Sequence, residues 1–159
     1  MRPRTATLKI IVLAALVLML AGCSAMSNLL PWHTKTASVS RVRVAAPPGA
    51  NLNSATMLDL VFVYDTASTG MLPKTGPEWF AQKAALQNGL AGTIDVVSLQ
   101  VPPAMVIDPV SLPKRASKAL VVYGFANYQS PDGQARLDLT RFRHAVIWLG
   151  STQISVTEQ

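Results

Sequence analysis

Residues 119–128 read ALVVYGFANY, and residues 136–149 read RLDLTRFRHAVIWL. The first stretch is apolar at successive positions, which is typical of a central strand covered on both faces. The second alternates, and one set of alternate positions forms an apolar face that includes a histidine: Phe142, His144, Val146 and Trp148. Between them, QSPDG at 129–133 predicts a tight turn, because Pro, Asp and Gly favour turn geometry. Together these stretches predict a hairpin in a β-rich fold.

Further strand signals lie on both sides of this hairpin. Alternation or β-branched runs predict strands at Val39–Ala45, Met57–Asp65, Ile94–Val101 and Ile154–Val156. One helix is predicted over Pro77–Gly89, because proline in the first turn and a closing Asn-Gly pair are typical helix ends. The stretch Leu99–Lys118 contains four prolines and predicts an extended connection that crosses between sheets. The elements predict a mainly β fold, a two-sheet β-sandwich with one inserted helix.

The amino terminus has the pattern of an export signal. Basic residues precede the apolar run Ile10–Leu20, whose 11 residues suit a signal peptide and fall short of the about 20 that span a membrane. The sequence Leu20-Ala21-Gly22-Cys23 follows, and this cysteine is the only one in the chain. The alternatives are a simple cleaved signal or a short anchor in which the cysteine is incidental.

Leu20–Cys23 resembles the bacterial lipobox. That resemblance implies cleavage before Cys23, diacylglycerol on its thiol and a further acyl chain, such as palmitate, on its amino group. Ser24, in place of Asp, implies sorting to the outer membrane, where the protein would be lipid-anchored on the periplasmic face. We expect a signal peptide at 1–22, a flexible lipidated tether at 23–38 and the β-sandwich domain at 39–159.

Charge and chemistry exclude several functions. Signal cleavage removes three basic residues and no acidic one, so the positive excess falls from 6 to 3, and the remaining cations are too scattered to predict nucleic-acid binding. The carboxylates do not cluster, and no phosphate loop or nucleophile elbow is present. We therefore expect no enzyme activity, no catalytic residue, no metal and no cofactor beyond the lipid on Cys23. His144 is expected to be packed; a hydrolase that uses it is the weakest alternative, because it requires an exposed His144 beside a carboxylate.

Two loops remain as candidate binding surfaces. Residues 46–56 join the first two strands, and Leu52 is their one large apolar residue. Residues 67–76 carry Met71 and Leu72 between small and polar residues. Loops of this length on a rigid sandwich are common recognition sites.

The order of the features is more specific than any one of them. After the lipobox come ANLN at 50–53, LDLVFVYD at 58–65, WFAQKAAL at 79–86, VPP at 101–103, ALVVYGFANY at 119–128 and RFRHAVIW at 141–148. This order is similar to that of the TssJ family, the outer-membrane lipoproteins of the type VI secretion system. The resemblance implies a transthyretin-like sandwich that anchors a trans-envelope membrane complex to the outer membrane.

In that family the loop between the first two strands contacts the periplasmic part of the inner-membrane protein TssM. Carried over to this sequence, the resemblance implies acylation at Cys23 and partner contacts at Asn51, Leu52 and Asn53. The alternative is a ligand-binding or pilotin-like lipoprotein of another envelope assembly. That alternative predicts a deep apolar pocket, whereas the first predicts a filled core and a protruding loop.

Overall fold

The computed structural model describes residues 35–159, so Cys23 and most of the predicted tether lie outside the described residues. The strands are β1 Arg41–Ala46, β2 Thr56–Val63, β3 Ile94–Val101, β4 Met105–Ile107, β5 Val121–Ala126, β6 Leu137–Asp138, β7 His144–Leu149 and β8 Ile154–Glu158. The helical segments are a turn at Ala50–Asn53, helix α1 Thr66–Met71, helix α2 Gly76–Gly89 and 3-10 turns at Ala116–Lys118 and Pro131–Gly133. No helix within residues 35–159 is long and apolar enough to cross a membrane.

Two four-stranded sheets form the sandwich that the sequence predicts. Sheet A has the order β4-β1-β7-β8, and sheet B has the order β3-β2-β5-β6. β1 and β7 are parallel, whereas the other strand pairs are antiparallel. Alternate residues of β2 are fully buried between the sheets and belong to one core with residues of β1 and β7: Leu58, Leu60, Phe62, Val42, Val44 and Ile147. The period of two in these strands therefore places their apolar side chains in the core.

Helix α2 covers the outer face of sheet B. It begins after Thr75, whose hydroxyl accepts a hydrogen bond from the backbone N–H of Glu78 and caps the helix. Trp79 is fully buried and stacks on Phe125 of β5, with 4.9 Å between the ring centroids. The predicted helix Pro77–Gly89 is confirmed and begins one residue earlier.

The predicted strand Arg136–Leu149 is wrong in extent. Its first part, β6, pairs with β5 in sheet B, so the predicted hairpin exists over only two residues. The chain then turns, because the backbone N–H of Thr140 donates to Oδ1 of Asp138 at 2.9 Å. Strand β7 follows in the other sheet, beside β1. One predicted strand is therefore two strands in different sheets.

The predicted face is wrong for His144 and Trp148. Ala145, Ile147 and Leu149 are buried in the core, with exposed fractions of 0–1%, whereas Trp148 is 44% exposed and His144 is exposed. The expectation of a packed His144 is therefore wrong. The other two members of that set are covered, since Val146 is 5% exposed and Phe142 packs against the core.

Two other segments refine the predicted organisation. The stretch Leu99–Lys118 crosses from sheet B to sheet A as expected, and it contributes the short edge strand β4. Residues 67–76, interpreted as a loop, hold most of helix α1. Asp65 begins this helix, since its carboxylate accepts a hydrogen bond from Ser68 N at 2.9 Å.

The first described residues and the loop 46–56 lie at opposite ends of β1. Ala37 N donates to Ala119 O at 2.7 Å, and Ser38 N donates to Thr140 O at 2.8 Å. We name the end that holds residues 35–40 the tether end and the end that holds residues 46–56 the loop end. The last residues assigned to the tether thus already contact the sandwich, and the division into 1–22, 23–38 and 39–159 stays a prediction.

Candidate partner-binding site

A left-handed turn forms the tip of the loop end. Gly49 has φ 82°, and Asn51, Leu52 and Asn53 follow with φ values of 48°, 52° and 63°. The left-handed conformation costs roughly 1–2 kcal/mol per residue for most L-amino acids, and asparagine tolerates it better than leucine. Such strain persists only where the surrounding structure holds it in place, and it is concentrated at functional sites.

Backbone hydrogen bonds from the β7–β8 turn hold the left-handed turn. Asn51 N donates to Gly150 O, and Leu52 N donates to Ser151 O, each at 2.9 Å. The side chain of Asn51 adds a second attachment, since its Oδ1 accepts from Gln129 N at 2.8 Å and its Nδ2 donates to Asn127 O at 3.3 Å. The turn is therefore fixed to two separate segments of the sandwich.

Tyr128 fixes the β7–β8 turn in its own place. Its hydroxyl donates to Gly150 O at 2.8 Å, the same carbonyl that accepts from Asn51. Burial raises the pKa of the Tyr128 phenol to about 12, so the group stays a neutral donor at physiological pH. Gly133 lies against the ring, where a Cβ would overlap it. These contacts make the support of the loop rigid.

The three predicted contact residues differ in exposure. Leu52 is 54% exposed and Asn53 is exposed, whereas Asn51 is only 1% exposed. Leu52 and Asn53 are therefore available to a partner, and Asn51 positions them from inside. That these residues bind a partner stays a prediction.

Exposed apolar side chains concentrate at the loop end. Among residues 35–159, the large apolar side chains with the greatest exposure are Leu52, Met57, Met71, Met105, Val106 and Trp148. All but Met71 lie at the loop end, because they belong to the left-handed turn, to the start of β2 or to positions paired with the last residues of β1. Met57 faces outward from sheet B, whereas Val106 and Trp148 line one groove on sheet A. Exposed apolar residues that lie together, as these two do, are typical of an interaction surface.

A groove of about 290 Å³ runs beside the loop on sheet A. Ala45 lies between Val106 of β4 and Trp148 of β7, and its small side chain leaves the space between them open. Pro47 and Pro48, the first residues of the loop, form part of the same lining. The lining extends along the chain as far as Pro48, just before the left-handed turn, and we name the groove and the turn together the loop-end surface.

The sequence-based prediction missed Trp148 and Val106 as parts of this surface. A usable signal was present: Arg41 and Arg43 alternate with the buried valines of β1, and His144 alternates with the buried residues of β7. Charged and titratable residues mark the solvent side of a strand. Trp148 lies on the same side of β7 as His144. The titratable His144 therefore indicated that Trp148 also faces solvent.

The exposed His144 lies close to a carboxylate. Oε1 of Glu158 accepts a hydrogen bond from the backbone N–H of His144 at 2.6 Å, and Oε2 accepts from Arg143 N at 2.9 Å. These backbone hydrogen bonds, that from His144 first, lower the pKa of the Glu158 carboxyl. The carboxylate thus joins the end of β8 to the backbone at the start of β7. Within residues 35–159, no three His, Cys, Asp or Glu side chains converge as metal ligands.

Solved structures with a similar arrangement of strands identify the fold. The chain is similar to the T6SS lipoprotein TssJ1 from Pseudomonas aeruginosa, with 18% identity and a TM-score of 0.51 over 75% of this chain and 94% of that chain. It is similar to Serratia marcescens Lip, a membrane-bound component of the type VI secretion system, with 12% identity and a TM-score of 0.52 over 75% and 95% of the two chains. The chain has the TssJ fold.

A third similar chain belongs to a structure described as the T6SS protein TssM C-terminal domain (869–1107) from EAEC, with 14% identity and a TM-score of 0.52 over 74% and 98% of the chains. No family model and no curated protein sequence matches the chain. The TssJ resemblance and the two-sheet sandwich with an inserted helix, both predicted from sequence, are thereby confirmed for the fold.

Proposed function

We propose that this protein is an outer-membrane lipoprotein that anchors the membrane complex of a type VI secretion system. It binds the periplasmic domain of a TssM-type inner-membrane component through the loop-end surface, and it holds to the outer membrane through acylated Cys23. Its role is structural rather than catalytic. The TssJ fold supports this proposal, since two of the similar structures are a T6SS lipoprotein and a membrane-bound component of the type VI secretion system.

The single observation that carries the proposal is the exposed Leu52 on a strained turn. Leu52 is 54% exposed, so burial of its side chain stabilises the fold little. The strain of its left-handed backbone is therefore not explained by the stability of the fold alone. The rigid support from Asn51 and the β7–β8 turn presents this side chain in one orientation. Preorganisation of this kind lowers the entropic cost of docking.

The tether end and the loop end, through which the protein would attach to the membrane and to its partner, lie where a tethering role requires them. β1 joins them directly, because residues 35–40 precede it and the loop 46–56 follows it. Six residues of strand separate the two by about 20 Å. A pull between the membranes would load β1, which lies inside sheet A between β4 and β7. Attachment at the membrane would raise the effective concentration of the loop-end surface near its partner.

The experiment is a crosslinked pull-down of the tagged, lipidated protein from intact envelopes, with partners identified by mass spectrometry. We expect the wild type to recover a large inner-membrane secretion protein, and Leu52→Asp to lose it at least tenfold. Met71→Asp is the matched control, since Met71 is 60% exposed but ends α1, outside both the loop 46–56 and the lining of the groove. It should recover the partner as the wild type does.

A second variant tests the anchor. Cys23→Ser should move the protein from the outer-membrane fraction to the soluble periplasm and stop secretion. Normal secretion by that variant would contradict the anchoring role. Equal partner recovery by Leu52→Asp and the wild type would contradict the docking role.

A further inference from the structure

The tether end carries a group of exposed cations. Lys35, Lys118, Arg141 and Arg143 are all exposed. Three of them lie at or next to a residue whose carbonyl accepts a backbone hydrogen bond from residues 37–40: Lys118 precedes Ala119, Arg141 follows Thr140, and the carbonyl of Arg143 accepts from Ser40 N at 2.9 Å. The fold thus gathers at one end basic residues that are scattered in sequence.

Neighbouring carboxylates offset only part of this charge. Asp138 and Glu158 lie nearby and keep their negative charges, since each accepts from backbone N–H groups: Asp138 from Thr140, and Glu158 from Arg143 and His144. Among residues 35–159, none of the four cations forms a salt bridge. Four cations against these two carboxylates leave the group with a positive excess of two.

A polar cavity of about 380 Å³ lies within this end. Its lining consists of cations and hydroxyl-bearing residues: Lys35, Thr36, Ser38, Thr140 and Arg141. Ammonium, guanidinium and hydroxyl groups are the donors that bind phosphate oxygens in proteins. The lining therefore has the chemistry of an anionic phosphate site.

The chain itself brings this end to a membrane. Lys35 lies twelve positions after Cys23, and twelve residues span at most about 40 Å. We propose that the tether end binds the anionic headgroups of the bilayer to which Cys23 is attached, so that the sandwich sits on the membrane with its loop-end surface outward. The proposal rests on the proposed lipid attachment and assigns a second, electrostatic contact to the same bilayer.

The test uses the chain from residue 23 onward with Cys23→Ser, so that no acyl chain contributes. Its binding is measured by flotation with vesicles of phosphatidylethanolamine and phosphatidylglycerol at 3:1 and with vesicles of phosphatidylcholine alone. We expect binding to the anionic vesicles at least tenfold tighter than to the neutral ones. It should weaken between 50 and 300 mM NaCl, because salt screens exposed charges.

Matched variants locate the contact. Each cation near an anionic surface contributes about fivefold in binding, so Lys118→Gln should bind about fivefold more weakly and Lys35→Gln/Lys118→Gln/Arg141→Gln about 100-fold more weakly. Lys74→Gln is the control, since Lys74 is exposed before α2 and does not line the polar cavity. It removes the same charge and should change binding less than twofold.

The outcomes separate this proposal from the docking function. Equal binding to neutral and anionic vesicles, or equal losses in Lys118→Gln and Lys74→Gln, would overturn it. Partner recovery by the lipidated triple variant should remain, because its loop-end surface is intact. Loss of vesicle binding together with retained partner recovery therefore supports the membrane contact, and vesicle binding by a triple variant as tight as that of the wild type refutes it.

Discussion

The side-chain oxygen of Asn51 accepts a hydrogen bond from the backbone N–H of Gln129 at 2.8 Å, across 78 positions of sequence. This contact joins the tip of the loop after β1 to the chain after β5. The same amide donates to Asn127 O, so one buried side chain serves a donor and an acceptor of the main chain. The exposed face of the turn therefore depends on a residue that a partner cannot reach.

Asn51→Ala should destabilise the protein more than Asn53→Ala. Both asparagines occupy the left-handed region, so both variants lose the same backbone preference. Only Asn51→Ala also removes two hydrogen bonds from a buried position, which should cost about 1–2 kcal/mol more in the free energy of unfolding. Urea denaturation of the two variants measures the difference. Equal midpoints would mean that the amide of Asn51 does not support the turn.

Leu52→Gly should stabilise the protein while it weakens partner recovery. Glycine adopts φ 52° without the steric cost that leucine carries, and the exposed side chain contributes little to the core. We expect a gain of about 1 kcal/mol in the free energy of unfolding.

Leu52→Ala is the control for this prediction. Alanine keeps the Cβ and its left-handed strain but removes the apolar side chain, so partner recovery should fall without a gain in stability. A Leu52→Gly variant that is less stable than Leu52→Ala would refute the account of strain at this position.

The sequence predicts a core strand well where the local alternation of apolar residues is enough to identify its buried face. In Met57–Asp65 the alternate residues Leu58, Leu60 and Phe62 are all apolar, and all are buried. The prediction fails for Arg136–Leu149, because the parallel pairing of β7 with β1 joins segments about 100 residues apart. Local alternation contains no information on which sheet a strand joins, and the choice of sheet decided which face of β7 is buried.

The loop between β1 and β2 was predicted in location but not in geometry. Two asparagines around a leucine are compatible with a left-handed turn, since asparagine visits that region more readily than most residues. The burial of Asn51 depends on Gln129 and Gly150, which lie far along the chain. Sequence alone could therefore name the loop but could not separate the residue that positions it from the residue that it exposes.

Asp59 shows how a residue that interrupts the pattern can belong to the core. It is 1% exposed, and its Oδ2 accepts from Trp79 Nε1 at 2.7 Å and from Lys83 Nζ at 2.8 Å. Asp59→Ala should lower the free energy of unfolding by about 3 kcal/mol, because it leaves the buried indole N–H without a partner. Asp59→Asn should cost less, since an amide oxygen can still accept from Trp79.

Guanidinium denaturation followed by the fluorescence of the chain's tryptophans measures both Asp59 variants. A loss in Asp59→Asn as large as that in Asp59→Ala would show that the charge pair with Lys83, and not the indole hydrogen bond, stabilises α2 on sheet B.

The pair Asp95 and Arg115 predicts a pH dependence of stability. Arg115 binds both carboxylate oxygens of Asp95 at 2.9 Å, and Tyr64 donates its hydroxyl to the same carboxylate at 2.8 Å. The hydrogen bond from Arg115, the largest cause, holds the pKa of Asp95 below its usual range. A carboxyl whose pKa is lower in the folded state stabilises the fold above its unfolded pKa of about 3.9, and this contribution is lost as the pH falls through the folded pKa.

Asp95→Asn should therefore lower the free energy of unfolding by about 1 kcal/mol between pH 5 and 7, a value limited by the partial exposure of the pair. The difference from the wild type should shrink as the pH falls below about 3.9, because Asp95 of the unfolded chain is protonated there before Asp95 of the folded protein. Asp132→Asn is the control, because Asp132 is exposed and forms no side-chain hydrogen bond within residues 35–159. Urea midpoints of the three proteins across pH 3–7 measure the effect. A difference for Asp95→Asn that stays constant over that range would contradict the assignment to the ionised carboxylate.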